Sequence, residues 1–222
     1  MRAITRFFHS HSGAPTLARK PPTKPRKNAS QARSRATVDA LVEATARILV
    51  REGFEKASTN RIAEVAGVSV GSLYQYFPGK EALVAAVIDR HNDEIMKIVR
   101  AAFVEVADMP IEAAVHRLVT VAIESHHINP KLHRVLDEQI PRAGKLDVEA
   151  SSREVHALVR AYLASHAEEL RKIDLDLAAF VCVSTIEAIA HNTVLNRAEM
   201  PSEKMMKTLV DETTRMVVGF LK

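Results

Sequence analysis

The stretch TNRIAEVAGVSVGSLYQYFPGK, residues 59–80, reads as two short helices joined by a tight glycine turn, with a lysine at the head of a third helix. Thr59 is placed to cap the first helix, its hydroxyl accepting from a backbone N–H one turn on. Ile62, Ala63 and Ala66 fall on one face, and the two alanines let a second helix approach closely. Gly67 is the residue type that best tolerates the left-handed backbone just past a helix end, and Ser69 can cap the helix that follows. In that helix Leu73 and Phe77 stand at i, i+4 and point inward. Val70, Gly71, Tyr74 and Gln75 are left on one outward stripe, and Pro78-Gly79 ends the helix. This is the layout of a helix-turn-helix, whose second helix enters the DNA major groove.

Gly67-Val68-Ser69-Val70-Gly71 also matches G-x-S-x-G, the nucleophile elbow of α/β-hydrolases. A serine hydrolase using Ser69 is therefore a rival reading of another class. The elbow needs a buried strand before the serine and an oxyanion hole supplied from elsewhere. Residues 60–66 are helical in pattern and no HGGG-type run exists, so Ser69 reads as a cap, with no catalytic residue and no enzyme expected.

The 222 residues are 47% apolar, enough for a core, and the absence of tryptophan and the seven glycines favour helices over a β-sandwich. The net charge of +4 conceals an asymmetry. Residues 1–38 hold nine Lys or Arg and no acid, leaving 22 basic against 27 acidic residues in the remainder, a net of −5. A basic arm on an acidic body points to a polyanion partner for the arm. Pro15, Pro21, Pro22 and Pro25 would break the amphipathic helix of an organellar transit peptide. The single cysteine, Cys182, cannot form an intrachain disulfide, which suits a reducing cytoplasm. Ser184, Thr185, Glu187, His191 and Asn192 interrupt the longest apolar stretch, so no membrane span is expected.

Three segments follow. Residues 1–35 are too polar and proline-rich to fold and should form a disordered arm, residues 36–82 the helix-turn-helix domain, and residues 83–222 a second helical domain. Helical periodicity places a first helix at about 37–52 and a long one from Lys80 to about Asp108. The long helix carries a stripe that includes Leu83, Val87, His91, Ile95, Ile98 and Phe103. Further helices are expected at about 111–127, 130–139, 146–171, 174–197 and 201–220, bounded by turn signals. The fold is all-α, with about nine helices.

The block from Phe54 through Leu83 resembles the DNA-binding domain of the TetR/AcrR family of bacterial transcription regulators. The shared residues are Phe54, Thr59, Ile62-Ala63, Ala66-Gly67-Val68-Ser69, Gly71, Leu73-Tyr74, Phe77, Lys80 and Leu83. Gly79 departs from the polar cap often found there, but glycine is an adequate cap. Lys80, with the N–H groups of the helix it opens, can hold a phosphate. Thr59 can reach another through its backbone N–H, and Tyr76 through its hydroxyl, although Tyr76 could equally be a core residue with a wet tip. On the reading stripe Gln75 is suited to adenine and Val70 to a thymine methyl. Gly71 permits close approach, and Ser69, Ser72 and Tyr74 complete the expected contacts.

Helix 174–197 is apolar nearly all round, and helix 201–220 carries Met206, Leu209, Thr213, Met216, Val217 and Phe220 on one stripe. The pair resembles the family's dimerisation helices, which implies a homodimer on a palindromic operator in double-stranded DNA. The resemblance also implies a small-molecule pocket among the middle helices, for which Phe103, His127, Tyr162 and Glu187 are the candidate lining. An effector there would shift the helix that starts at Lys80. The implied function is a cytoplasmic, ligand-responsive repressor without a cofactor; a ligand-independent regulator or an activator is the alternative. His126, His127 and His133 surround a helix break, and Glu187 and His191 stand at i, i+4, but neither set forms a metal-binding framework. No metal site is expected.

Overall fold

The computed structural model describes residues 32–139, 146–195 and 202–222. Among the described residues there are nine α-helices, one 3-10 turn and no strand. The expected basic arm lies outside the described residues except for its last few positions, which are helical: α1 (Ala32–Glu52) starts ahead of the residue 37 expected from sequence. Helices α2 (Thr59–Ala66) and α3 (Val70–Tyr76) follow, then the 26-residue α4 (Lys80–Glu105).

The helix-turn-helix closes as the residues dictate, with one correction. The cap of α2 is Ser58, not Thr59: Ser58 is extended (φ −132°, ψ 152°), and its side chain accepts from the Arg61 N–H. Ser58 and Thr59 are both competent caps, and the chain enters the helix one residue earlier. Gly67 ends α2 in the left-handed region (φ 67°), its N–H reaching the Ala63 and Glu64 carbonyls, while Val68 N–H bonds Ala63 O at 3.0 Å. Ser69 caps α3, its Oγ accepting from Ser72 N–H at 3.1 Å. Leu41, Ile48, Leu49, Ile62, Leu73 and Phe77 form the centre of a first core against α4.

Helices α5 (Ile111–His126), α6 (Pro130–Gln139), α7 (Leu146–Ser165), α8 (Leu175–Leu195) and α9 (Glu203–Leu221) build the second part. α7 ends before the 171 expected, in the 3-10 turn at Ala167–Glu169. α5 is the central helix, packed against α4, α8 and α9, with Ile111, Val119 and Ile123 fully buried. Glu169 sits at its positive end, the carboxylate accepting from Ile111 N–H at 3.3 Å. The expected α4 stripe holds except at Ile98, which is exposed, while Met96 turns inward.

α6 joins the two parts. Asn129 caps it by accepting from Leu132 N–H at 3.2 Å, and Pro130 opens it, where the missing N–H costs nothing. Leu132 and Leu136 enter the first core, and Gln139 Oε1 accepts from Phe54 N–H at 3.0 Å in the α1–α2 connection. α8 is long and apolar enough to cross a membrane by length and composition, with a mean hydropathy of 1.2 over Leu175–Thr193. Core helices of folded domains share that property, and α8 places Ala178, Cys182 and Ala190 in the second core. Burial pushes the Cys182 thiol up to about 11, as for an inert core residue.

The two glycines of the helix-turn-helix differ in a measurable way. Gly67 needs a left-handed backbone with open space around it, so Gly67→Ala should cost about 1–2 kcal/mol of stability. Gly71 is helical, and an added Cβ would meet only Ser69 Oγ, at 3.9 Å. Gly71→Ala should leave stability unchanged or raise it by up to about 1 kcal/mol. Urea unfolding of both variants checks this, and equal losses would contradict the turn geometry.

Candidate functional site

α3 presents Gly71, Tyr74 and Gln75 to solvent on one face, beside the half-buried Ser72. Val70 is partly buried against the first core, so only its edge is available. α3 carries no charged side chain, so charge on this surface comes from its neighbours. Lys80 lies at the start of α4, where Gly79 provides no side-chain cap and Glu81 is the acidic residue of the first turn. Its ammonium sits 4.3 Å from the Phe54 ring centroid and donates to the Phe54 carbonyl at 3.4 Å, which holds it on this surface. Thr59, freed from capping, shares a hydrogen bond of 3.1 Å with the Tyr74 hydroxyl and ties the head of α2 to the exposed face of α3.

Tyr76 departs from expectation. Its ring is buried at 7% exposure, and its hydroxyl donates to Ser34 of α1 at 3.2 Å. Helical phase explains this: Tyr76 follows Leu73 by three residues and shares its inward face. Ser69 accepts from Ser72 N–H and lies 2.8 Å from the Ser72 hydroxyl. It sits between two helices rather than after a strand, so the nucleophile-elbow context is absent at this position.

A cavity of about 620 Å³ lies between α4, α5, α6, α7 and α8. Its lining is mostly apolar, which suits a small molecule that is itself largely apolar. Of the candidate residues, Phe103, Tyr162 and Glu187 stand in its wall. His127 does not: it ends α5 with its ring on the Ile123 carbonyl at 2.8 Å, and His126, one position back on the inner face, takes its place in the wall. Tyr162 donates to the Met109 carbonyl at 2.8 Å, and burial raises its hydroxyl to about 12. Burial also raises the Glu187 carboxyl above its ordinary value, against the opposing pull of His156 and His191.

The end of the cavity nearest the helix-turn-helix is polar, a feature the sequence reading missed. His91, His126, His133 and His191 converge there from α4, α5, α6 and α8. His133 Nδ1 lies 3.3 Å from His91 Nε2, and His133 Nε2 lies 3.0 Å from His191 Nδ1. His191 Nε2 is 3.6 Å from the Asp137 carboxylate. Burial lowers His91 and His126, and burial with three histidine neighbours pushes His133 down to about 3. Burial thus favours the neutral form of His91, His126 and His133. Asn92 adds a buried side-chain N–H with no hydrogen-bond partner among the described residues.

Comparison with known proteins gives one consistent answer. The family model described as bacterial regulatory proteins, tetR family, matches residues 41–87, and that of the tetracyclin repressor-like C-terminal domain matches residues 110–221. The nucleoid occlusion factor SlmA of Haemophilus ducreyi is 31% identical over 85 residues, 38% of this chain and 41% of that protein. The chain thus spans about two fifths of the length of that relative. The HTH-type transcriptional activator FasR of Mycolicibacterium smegmatis is 28% identical over 144 residues, 63% of this chain and 66% of that protein. The fatty acid degradation regulator FadR of Bacillus halodurans shares the fold, with a TM-score of 0.64 at 18% identity, covering 84% of this chain and 96% of that one.

The placement of Tyr76 is testable. Tyr76→Phe should cost about 0.5–1.5 kcal/mol of stability, the net worth of one hydrogen bond, and leave affinity for DNA unchanged. A loss of affinity with unchanged stability would put the hydroxyl back on the binding face.

Proposed function

The chain belongs to the TetR family of DNA-binding transcriptional regulators, and from that premise we propose that it is a ligand-responsive repressor acting as a homodimer on a palindromic operator. The observation that carries the ligand response is that the cavity and the first core share wall residues. Ile88 of α4 and Leu136 of α6 belong to both. A molecule that changes the cavity's width moves α4 or α6, and either movement reaches the helix-turn-helix.

On DNA, α3 lies in the major groove with Gln75 and Tyr74 toward the base edges, Gly71 at the closest approach and Val70 at its partly exposed edge. Lys80, the N–H of Thr59, and Ser69 and Ser72 at the head of α3 anchor the phosphates. Each protomer reads one half-site, and the two α3 helices must stand about 34–36 Å apart to enter successive major grooves. An effector that alters that separation releases the operator. The regulator works in the bacterial cytoplasm, where its operator lies.

The dimer reading rests on α8 and α9. The inner face of α9 is Val210, Thr213, Val217 and Leu221, so Met205 and Met216 are left exposed on its other side. Leu177 and Phe180 of α8 are more than half exposed, at 53% and 59%. Large apolar side chains on the two terminal helices suit an apolar interface between copies.

Mobility shift and footprinting on the intergenic DNA beside the gene test this reading: an inverted repeat should be protected, with half-sites one helical turn apart. Gln75→Ala should cost about 1–3 kcal/mol at particular base pairs and relax preference there. Lys80→Ala should weaken all sequences alike and reduce the log K against log salt slope by about one per protomer. The reverse pattern would mean that the reading face is misassigned. In sedimentation the chain should run at about twice its 24.5 kDa mass, and Phe180→Asp should shift it to the monomer and weaken operator binding. A monomeric wild type that still footprints both half-sites would overturn the dimer.

A further inference from the structure

We propose that His126, His133 and His191 form a binding site for a divalent transition-metal ion of the Zn2+ or Co2+ type, with one coordination position open to the cavity. One ring nitrogen from each of the three lies within 4.8 Å of the other two. They come from three helices, so the site exists only in the folded chain. It goes beyond the effector reading: the ion would bind whether or not the cavity also admits an organic molecule.

Hydrogen bonding identifies the ligand atoms. His126 Nδ1 lies 2.8 Å from the Ala122 carbonyl. A carbonyl only accepts, so that nitrogen carries the proton and the lone pair is on Nε2. His133 Nε2 and His191 Nδ1 face one another at 3.0 Å. That is close to the separation of about 3.3 Å that two ligands need on a tetrahedral ion with bonds of about 2.0–2.1 Å.

The outer nitrogen of every ring faces a polar group, and the His126 one is held by a backbone carbonyl as metal-binding histidines commonly are, while the His191–Asp137 distance exceeds a direct hydrogen bond. His126 Nδ1 has the Ala122 carbonyl, His133 Nδ1 has His91 Nε2 at 3.3 Å, and His191 Nε2 has the Asp137 carboxylate at 3.6 Å. His133 and Asp137 stand one turn apart on α6, so one helix supplies both a ligand and an outer partner.

Proton accounting is neutral. In the ion-free chain His133 Nε2–H donates to His191 Nδ1, or the reverse. When the ion takes both lone pairs, that proton moves to the other nitrogen of the ring that held it: to His133 Nδ1, with His91 shifting its own proton from Nε2 to Nδ1 so that its Nε2 accepts, or to His191 Nε2, which faces Asp137. No proton need leave the site, because the rings only change tautomer. Three nitrogen donors suit Zn2+, Co2+, Ni2+ or Cu2+ rather than Mg2+ or Ca2+. A three-histidine set also leaves the fourth position for water or a cavity ligand.

The test is titration of the full, untagged, chelator-stripped chain with Co2+ in the absence of DNA, read by visible absorption, followed by competition with Zn2+. One ion per chain should bind with the d–d spectrum of a four-coordinate site, and Zn2+ should displace it. The His126→Ala/His133→Ala/His191→Ala variant should lose that spectrum, while His127→Ala should keep it. Asp137→Asn retains all three ligands, so it guards against a misfolded triple variant, and it should weaken affinity by roughly 10–100-fold. Absence of the spectrum, or an unchanged spectrum and stoichiometry in the triple variant, would overturn the site. Operator binding is measured separately on the same samples, so failure here leaves the regulator reading untouched.

Discussion

Ile88 and Leu136 hold the two halves of this protein to one another. Each contributes to the core of the helix-turn-helix and to the wall of the cavity, one from the continuous helix α4 and the other from the short helix α6. Magnitudes limit what can happen at this junction. Pulling α6 away from α1 would expose Leu132 and Leu136, at about 1.5–3 kcal/mol each. Allosteric coupling between sites is typically about 1–3 kcal/mol. A ligand can therefore tilt or slide these helices within a packed contact, but separating them costs more than such coupling supplies. The Gln139 side chain on Phe54 N–H adds a directional link, because any rotation of α6 pulls on the connection that leads into α2.

The cavity has two chemically distinct ends. Residues far from the helix-turn-helix, such as Phe103 and Leu118, are apolar, while the near end gathers four histidines, Asp137 and Asn92. Burial keeps the buried rings neutral, so they present lone pairs rather than positive charge. An apolar body with a polar or metal-ligating end would match both. The polar end lies against α6, which packs on α1.

Much of this was legible in the sequence, because it depends on local chemistry. The boundaries of α5 and α6 fall where Pro110 and Pro130 place them, and Gly67 and Ser69 define the turn. Three places mark where local reading ends. Ser58 took the cap expected of Thr59, since both side chains can do it and the entry of the chain decides. Tyr76 turned inward because its phase follows Leu73, which outweighed the appeal of an exposed hydroxyl. His127 and His126 are equivalent in sequence, and the last turn of α5 puts only His126 in the wall. The sequence offered His126, His133 and His191 in separate sets and His91 only in the α4 stripe; their convergence was illegible because they lie on four helices, and the i, i+4 pair of His133 and Asp137 is too common a spacing to signal a site alone. The expected basic arm, residues 1–35, falls almost wholly outside the described residues.

If a molecule in the cavity changes the affinity for DNA, as proposed, that coupling is reciprocal, so DNA alone must be able to reveal it. Hydrogen exchange of the full chain, with and without its operator, measures this directly. The account predicts altered protection in residues 130–139 of α6 and in the half of α4 that lines the cavity, beyond the protection at α2 and α3 themselves. A change confined to residues 58–80, with α6 untouched, would contradict it.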